Sequence, residues 1–320
     1  MEVDTVKYNI ITYETYYGIS KRVAEILALI IGNSKVYSVD DAPKDISMYN
    51  NVISVFAFHG YSTGKDTIKY LKELGESLNE KVLGLVGVGL TENDINRYGK
   101  QIEDEIQKMA DFIKFIPGEL RINKLTDEDR KILEGFLSEH NMKFMDMGKF
   151  KVEEVCEKAS EIKEILEKDA VKLDRETLKK AINDYVSGKN MCTLTSGIGE
   201  FVRSTPIEYL YVNGCFYFFT EGGLKFKGIL QNPNVSISIY DDYSGMQNLK
   251  GLQVSGRAEV IPIDSDEYKE IVEVKKLNLK NINKLPVNLN LLKVYPMKFE
   301  FLNSDFKGYE VDLKQVLKRD

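Results

Sequence analysis

Histidine and cysteine are scarce in this chain of 320 residues: two histidines, His59 and His140, and three cysteines, Cys156, Cys192 and Cys215. Two histidines are too few for a histidine-built zinc or di-iron centre, and they argue against a serine triad, so no metal is expected. The cysteines are odd in number, far apart and without CxxC spacing, which excludes a disulfide frame and leaves them as packing residues. No apolar run approaches the roughly 20 residues of a membrane span. Positive charge is also short, with 44 Lys and Arg against 50 Asp and Glu and a net charge of -6. Such a field repels polyanions, so nucleic acid is not an expected partner. The start, "MEVDTVKYNI", lacks the basic stretch and apolar run of an export signal, and a cytoplasmic protein is expected. Neither a P-loop nor a GxGxxG turn occurs.

What is present falls into two styles. The first part alternates apolar strands with amphipathic helices, the pattern of a parallel sheet covered on both faces. Strands are expected near 7–12, 35–39, 51–58, 81–88 and 112–116, and helices near 20–31, 65–78, 98–110 and 126–139. Residues 151–170 carry Val152, Val155, Ala159, Ile162 and Ile165 on one stripe and read as a connecting helix. Beyond about Asp174 the period becomes two. "TPIEYLYVNGCFYFFTEGG" reads as two strands around Asn213-Gly214, a dipeptide suited to a tight hairpin. Further short strands suggest a small barrel or sandwich. The expected domains are 1–148 and 173–320, joined by a helical linker at 149–172.

"TYETYYGISKRVAEILALIIG", residues 12–32, sets a polar turn against a helix that Gly32 closes. A turn between the first strand and first helix of a parallel unit lies at the sheet's carboxyl edge, where ligands collect. The helix start suits a phosphate, with Thr15 and Ser20 adding hydroxyls and Gly18 letting the backbone approach. The same two hydroxyls serve equally well as plain helix caps. The residues alone leave both readings open.

The stretch "YETYYGISKRVAEIL" resembles the flavodoxin signature, with Tyr13, Thr15, Gly18, Ser20, Ala24 and Leu27 in register. Thr12, where an apolar residue is usual, and Ser20, in place of threonine, depart from it. The resemblance implies a flavodoxin-like five-stranded parallel sheet of order 2-1-3-4-5, with FMN phosphate wrapped by Thr15, Tyr16, Gly18, Ile19 and Ser20. It also implies flanking flavin loops at 58–65, with Gly60 and Tyr61, and at 88–99, with Leu90 and Thr91. His59 either donates to flavin N5 or faces water.

The region "FVRSTPIEYLYVNGCFYFFTEGGLKFKGILQNPNVSISIY" resembles the pyridoxamine 5'-phosphate oxidase-like, FMN-binding split-barrel family. Lys225, Ile229 and Pro233 keep that family's lysine-to-proline register. The resemblance implies a split barrel in which Arg203, Ser204, Thr220 and Lys225 hold a second FMN. It further implies a homodimer, with Gln253 reaching the flavin from the neighbouring chain. Such oxidases hold their substrate with a histidine and an arginine near the carboxyl terminus. "GYEVDLKQVLKRD" has no histidine, so vitamin B6 oxidation is not expected.

Together the two resemblances imply an FMN-dependent oxidoreductase. It would have a flavin site in each domain, NAD(P)H as a possible donor and a redox protein as a possible partner. The alternative is a non-catalytic flavin-binding or sensing module with only the split-barrel site filled. The sequence names no catalytic residue.

Overall fold

The computed structural model describes residues 7–59, 63–139, 143–169, 171–309 and 311–319. The chain forms two compact units that divide between residues 170 and 171.

In the first unit, β1 (Asn9–Tyr13) is followed by α1 (Ile19–Ile31) and β2 (Ser34–Ser38). Next come β3 (Asn51–Ala57), α2 (Lys65–Leu74), β4 (Val82–Gly89), α3 (Ile95–Ile106) and β5 (Phe112–Pro117). A small ribbon, β6 (Glu119–Leu120) with β7 (Met147–Gly148), brackets α4 (Asp127–Glu139), and α5 (Val152–Leu166) ends the unit. The five long strands form a parallel sheet of order β2-β1-β3-β4-β5. Ile11 sits opposite Val36 on one side and Ile53 on the other. Ile10 and Ile11 are both fully buried, as expected of a strand covered on both faces. One face packs on α2 and α3 through Phe56, Leu71, Leu83 and Ile102. The other packs on α1 and α5 through Val23, Leu27, Val155, Ala159 and Ile162.

The stripe at 152–166, expected to connect two halves, is therefore a layer of the first unit: its three fully buried residues lie against α1 and the sheet. The second helix also stops earlier than its periodicity predicts. Gly75, at φ 50°, breaks it after Leu74, and residues 75–78 continue as a 3-10 turn.

The second unit opens with α6 (Arg175–Ser187), capped by the Asp174 side chain, which accepts the Thr177 N–H at 2.9 Å. It continues with β8 (Met191–Ile198), β9 (Phe201–Glu208), β10 (Leu210–Val212), β11 (Cys215–Thr220), α7 (Lys225–Ile229) and β12 (Asn234–Tyr240). Then come β13 (Lys250–Ile261), α8 (Asp266–Val274), α9 (Leu279–Ile282), β14 (Asn290–Asn303) and β15 (Lys314–Lys318). The strands form one curled antiparallel half-barrel of order β10-β11-β14-β13-β12-β8-β9, with β15 on β14. The β10–β11 hairpin turns at Asn213 and Gly214, both at positive φ, 52° and 75°, as the dipeptide requires. Leu194, Phe216, Phe218, Ile237, Val254 and Phe301 fill the inside, under the apolar stripe of α6.

Candidate functional site

The strand order reverses between β1 and β3, which opens a crevice at their carboxyl ends, bounded by the turn after β1 and the loop after β3. Glu14 extends the ladder by donating its N–H to the Val55 carbonyl at 2.8 Å. The Thr15 hydroxyl then accepts the Gly18 N–H at 3.0 Å and closes the turn. Gly18 stands at φ 88°, where a side chain is strained, and starts α1 with no side chain capping the helix. Ser20, 1% exposed, has a buried hydroxyl without a partner among the described residues. Thr15 thus closes the turn ahead of α1, and Ser20 stands inside the helix's first turn and does not cap it. The N–H groups of α1's first turn and the Ser20 oxygen, which has no partner among the described residues, fit an anionic oxygen cluster.

Asp129, in the first turn of α4, ties this turn to the loop after β3. It accepts the Tyr17 hydroxyl, and its Oδ1 lies 3.3 Å from His59 Nε2. The Tyr16 ring stacks on His59 with centroids 3.8 Å apart, while the His59 N–H donates to Thr63 Oγ1 at 2.7 Å. Phe58 reaches this loop by lying flat on β4: a Cβ at Gly89 would come within 2.4 Å of its ring. The Tyr17 hydroxyl, first, then the Thr126 hydroxyl and His59 hold the Asp129 carboxyl below its ordinary value, against its partial burial. Its contribution to stability is therefore present above the ordinary carboxylate pKa and lost as pH falls through the lowered value. Asp129→Asn should flatten this acid limb and cost about 1 kcal/mol at pH 7. Urea unfolding of both proteins from pH 3 to 7 checks this. Equal acid limbs would contradict it.

Of the other expected residues at this edge, Ile19 is half-buried against the core. Leu90 is exposed, and Thr91 accepts the Asn93 N–H at 3.3 Å, capping a short 3-10 turn. Gly60 and Tyr61 lie outside the described residues.

Glu14 and Asp129 are the residues that sequence reasoning missed. Glu14 is 4% exposed; its Oε2 accepts the Thr67 N–H of α2 at 2.9 Å, and its Oε1 is buried without a partner among the described residues. Burial pushes this carboxyl above its ordinary value; the Thr67 amide and hydroxyl oppose the rise, and Asp66 adds to it through its charge while opposing it through its amide. An acid standing directly after β1, in a turn otherwise made of hydroxyl, aromatic and glycine residues, was the available signal.

In the second unit Lys225 begins α7 and is 6% exposed. Its amine donates to the Gly222 carbonyl and lies 5.3 Å from the centre of the Phe226 ring. No carboxylate stands within ion-pair distance of it among the described residues. Burial holds the amine below its ordinary value; Glu221 opposes this and Arg203 adds to it. Thr220 fixes the same Gly222, accepting its N–H at 3.3 Å and donating to its carbonyl at 3.2 Å. Ser196 donates to the Lys225 carbonyl at 3.0 Å and sits opposite Arg203 in the β8–β9 ladder. Arg203, Thr220 and Lys225 thus gather around one end of α7. Ser204 points to the other face of β9 and shares a 2.9 Å hydrogen bond with Thr195. Gln253, exposed on β13 and paired with Ser238, is on that outer face as well.

Residues 10–145 match the family model of a flavodoxin domain, and residues 178–302 match that of pyridoxamine 5'-phosphate oxidase. Among curated proteins no relative matches the chain. Among solved structures, a putative pyridoxamine 5'-phosphate oxidase from Listeria innocua is 20% identical, covers 39% of this chain and 98% of its own, and has a TM-score of 0.34. A FAD-binding protein from Mesorhizobium loti is 17% identical, with coverages of 38% and 89% and a TM-score of 0.30. A haem storage protein from Vibrio cholerae is 12% identical, with coverages of 37% and 89% and a TM-score of 0.32.

Proposed function

We infer, from a flavodoxin-like domain joined in one chain to a pyridoxamine 5'-phosphate oxidase-like domain, that this protein is an FMN-dependent oxidoreductase. It moves electrons between a reduced donor, NADH or NADPH, and an acceptor such as a redox protein. The observation that carries this is Lys225, a buried cation that among the described residues meets a carbonyl and a ring face and has no carboxylate within ion-pair distance. A buried charge without a counterion is costly, and an anionic ligand removes the cost. With Arg203 beside it, Lys225 can clamp a phosphate dianion through charge-assisted bonds. In the first unit the N–H groups of α1 and the Ser20 hydroxyl offer the second phosphate site. A bound flavin supplies hydride and single-electron chemistry, and the protein's part is to bind, orient and tune it. That division suits a chain with two histidines.

A homodimer is supported by apolar side chains on the outside of the half-barrel, among them Val202, Tyr240 and Met297, all more than half exposed. Gln253 and Ser204 share that face, where a second copy would meet them. Glu14 favours a second reading, in which only the half-barrel site is filled and the protein binds flavin without turnover. Stopped-flow mixing of the flavin-loaded protein with NADH and with NADPH separates the two. Bleaching of the flavin absorbance supports the oxidoreductase. Retained colour with either nucleotide, the flavin staying bound, contradicts it.

A further inference from the structure

Three buried side-chain oxygens have no hydrogen-bond partner among the described residues: Glu14 Oε1, Ser20 Oγ and Thr67 Oγ1. All three stand at the carboxyl edge of the first sheet, in the turn after β1 and in the first turns of α1 and α2. Buried polar atoms are ordinarily paired; the Thr67 hydroxyl acts on the Glu14 carboxyl and favours its charged form, so it is Ser20 and the remaining Glu14 charge that a ligand or a proton must complete. Ser20 suits a phosphate oxygen. Glu14 does not, because a phosphate monoester carries about 1.5 to 2 negative charges at neutral pH.

No cation in the turn offsets the Glu14 charge. Lys21 lies 4.0 Å from Glu25, and Arg22 stands over the Phe150 ring at 4.7 Å. On α2, the Asp66 carboxylate adds negative charge beside Glu14, while the Asp66 amide and the Thr67 hydroxyl favour the charged form without matching the effect of burial. Across the turn, Asp129 is tied to Tyr17 and His59. Nor can Glu14 swing into water, since it is 4% exposed, its amide is bonded to Val55 and its Oε2 to the Thr67 N–H. Its remaining way to shed charge is to take a proton.

Resting on the reading of this turn as a flavin site, we propose that Glu14 sets its ligand specificity. The turn admits a phosphate monoester only with the Glu14 carboxyl protonated, so FMN binding takes up one proton from solvent onto Oε1. Riboflavin, which has no phosphate, binds without that uptake. The direction follows from linkage: as pH rises and Glu14 ionises, FMN affinity falls by up to tenfold per pH unit while riboflavin affinity stays level. Glu14 thereby discriminates between the phosphorylated and unphosphorylated forms of one ring system.

The test uses the full-length protein carrying Lys225→Ala, which weakens the half-barrel site, with and without Glu14→Gln. FMN and riboflavin are titrated by flavin fluorescence from pH 6 to 8.5. Proton uptake is measured by calorimetry at pH 7.5 in buffers of different ionisation enthalpy. Glu14→Gln should bind FMN at least tenfold more tightly at pH 8, take up about one proton fewer, and bind riboflavin unchanged. Glu14→Ser should follow it, which guards against a misfolded glutamine variant. Equal FMN affinity and equal proton uptake with and without Glu14 overturn the proposal while leaving the flavin reading of the turn intact. Failure of every variant to bind either FMN or riboflavin at any pH removes that reading, and the proposal with it.

Discussion

Lys225→Met is expected to weaken FMN binding at the half-barrel by about 10- to 150-fold, the loss of one charge-assisted contact worth roughly 1.5–3 kcal/mol. The same change should stabilise the ligand-free protein. Burial holds the Lys225 amine below its ordinary value, so the folded chain holds that proton less tightly than the unfolded one. The cost of the charge is complete below the folded value and disappears as pH rises to the unfolded one. Methionine fills similar volume without the charge, and about 1 kcal/mol of added stability at pH 7 is the reasonable scale. Opposite movements of affinity and stability are what a residue kept for binding should show. Flavin titration and urea unfolding of the two proteins measure both. Unchanged affinity would remove Lys225 from the site, whatever the stability.

The second large effect concerns the frame that places the amino-terminal turn. Gly84 lies in β4, between β3 and β5, and a Cβ there would stand 2.1 Å from the Phe112 ring. β4 is paired with β3 on one side and with the edge strand β5 on the other, where Gly84 sits opposite Phe112, so its own backbone has little room to yield. Gly84→Val should cost about 3 kcal/mol or more, a large part of the roughly 5–15 kcal/mol that holds a domain folded. Gly84→Val combined with Phe112→Ala should cost at least about 1 kcal/mol less than the sum of the single changes, because the ring is what the new side chain meets. Chemical denaturation of the four proteins gives the coupling. Strict additivity would show that Phe112 is not the obstacle.

Much of this architecture is legible in the sequence because the signals are local. The 3.6-residue spacing of Val23, Leu27 and Ile31, with Gly18 before and Gly32 after, marks α1 and the turn ahead of it. Asn213-Gly214 marks its hairpin for the same reason. Long-range features are not written that way. Nothing local to Tyr17 says that its hydroxyl meets Asp129, 112 positions away. The stripe of α5 looks like a connector until α1 and the sheet are seen to cover it. Glu14 reads as one more polar loop residue, because its burial depends on α2 arriving with the Thr67 amide. Arg203 and Ser204 are instructive in the other direction: neighbours on a strand face opposite ways, so the alternation alone could have split them.

Flavin extraction with counting per chain tests the central claim most directly. The full-length protein, saturated with FMN at pH 6 and freed of unbound ligand, should carry two flavins per chain, and Lys225→Ala should carry one. A colourless protein that refuses added FMN in both forms would contradict it.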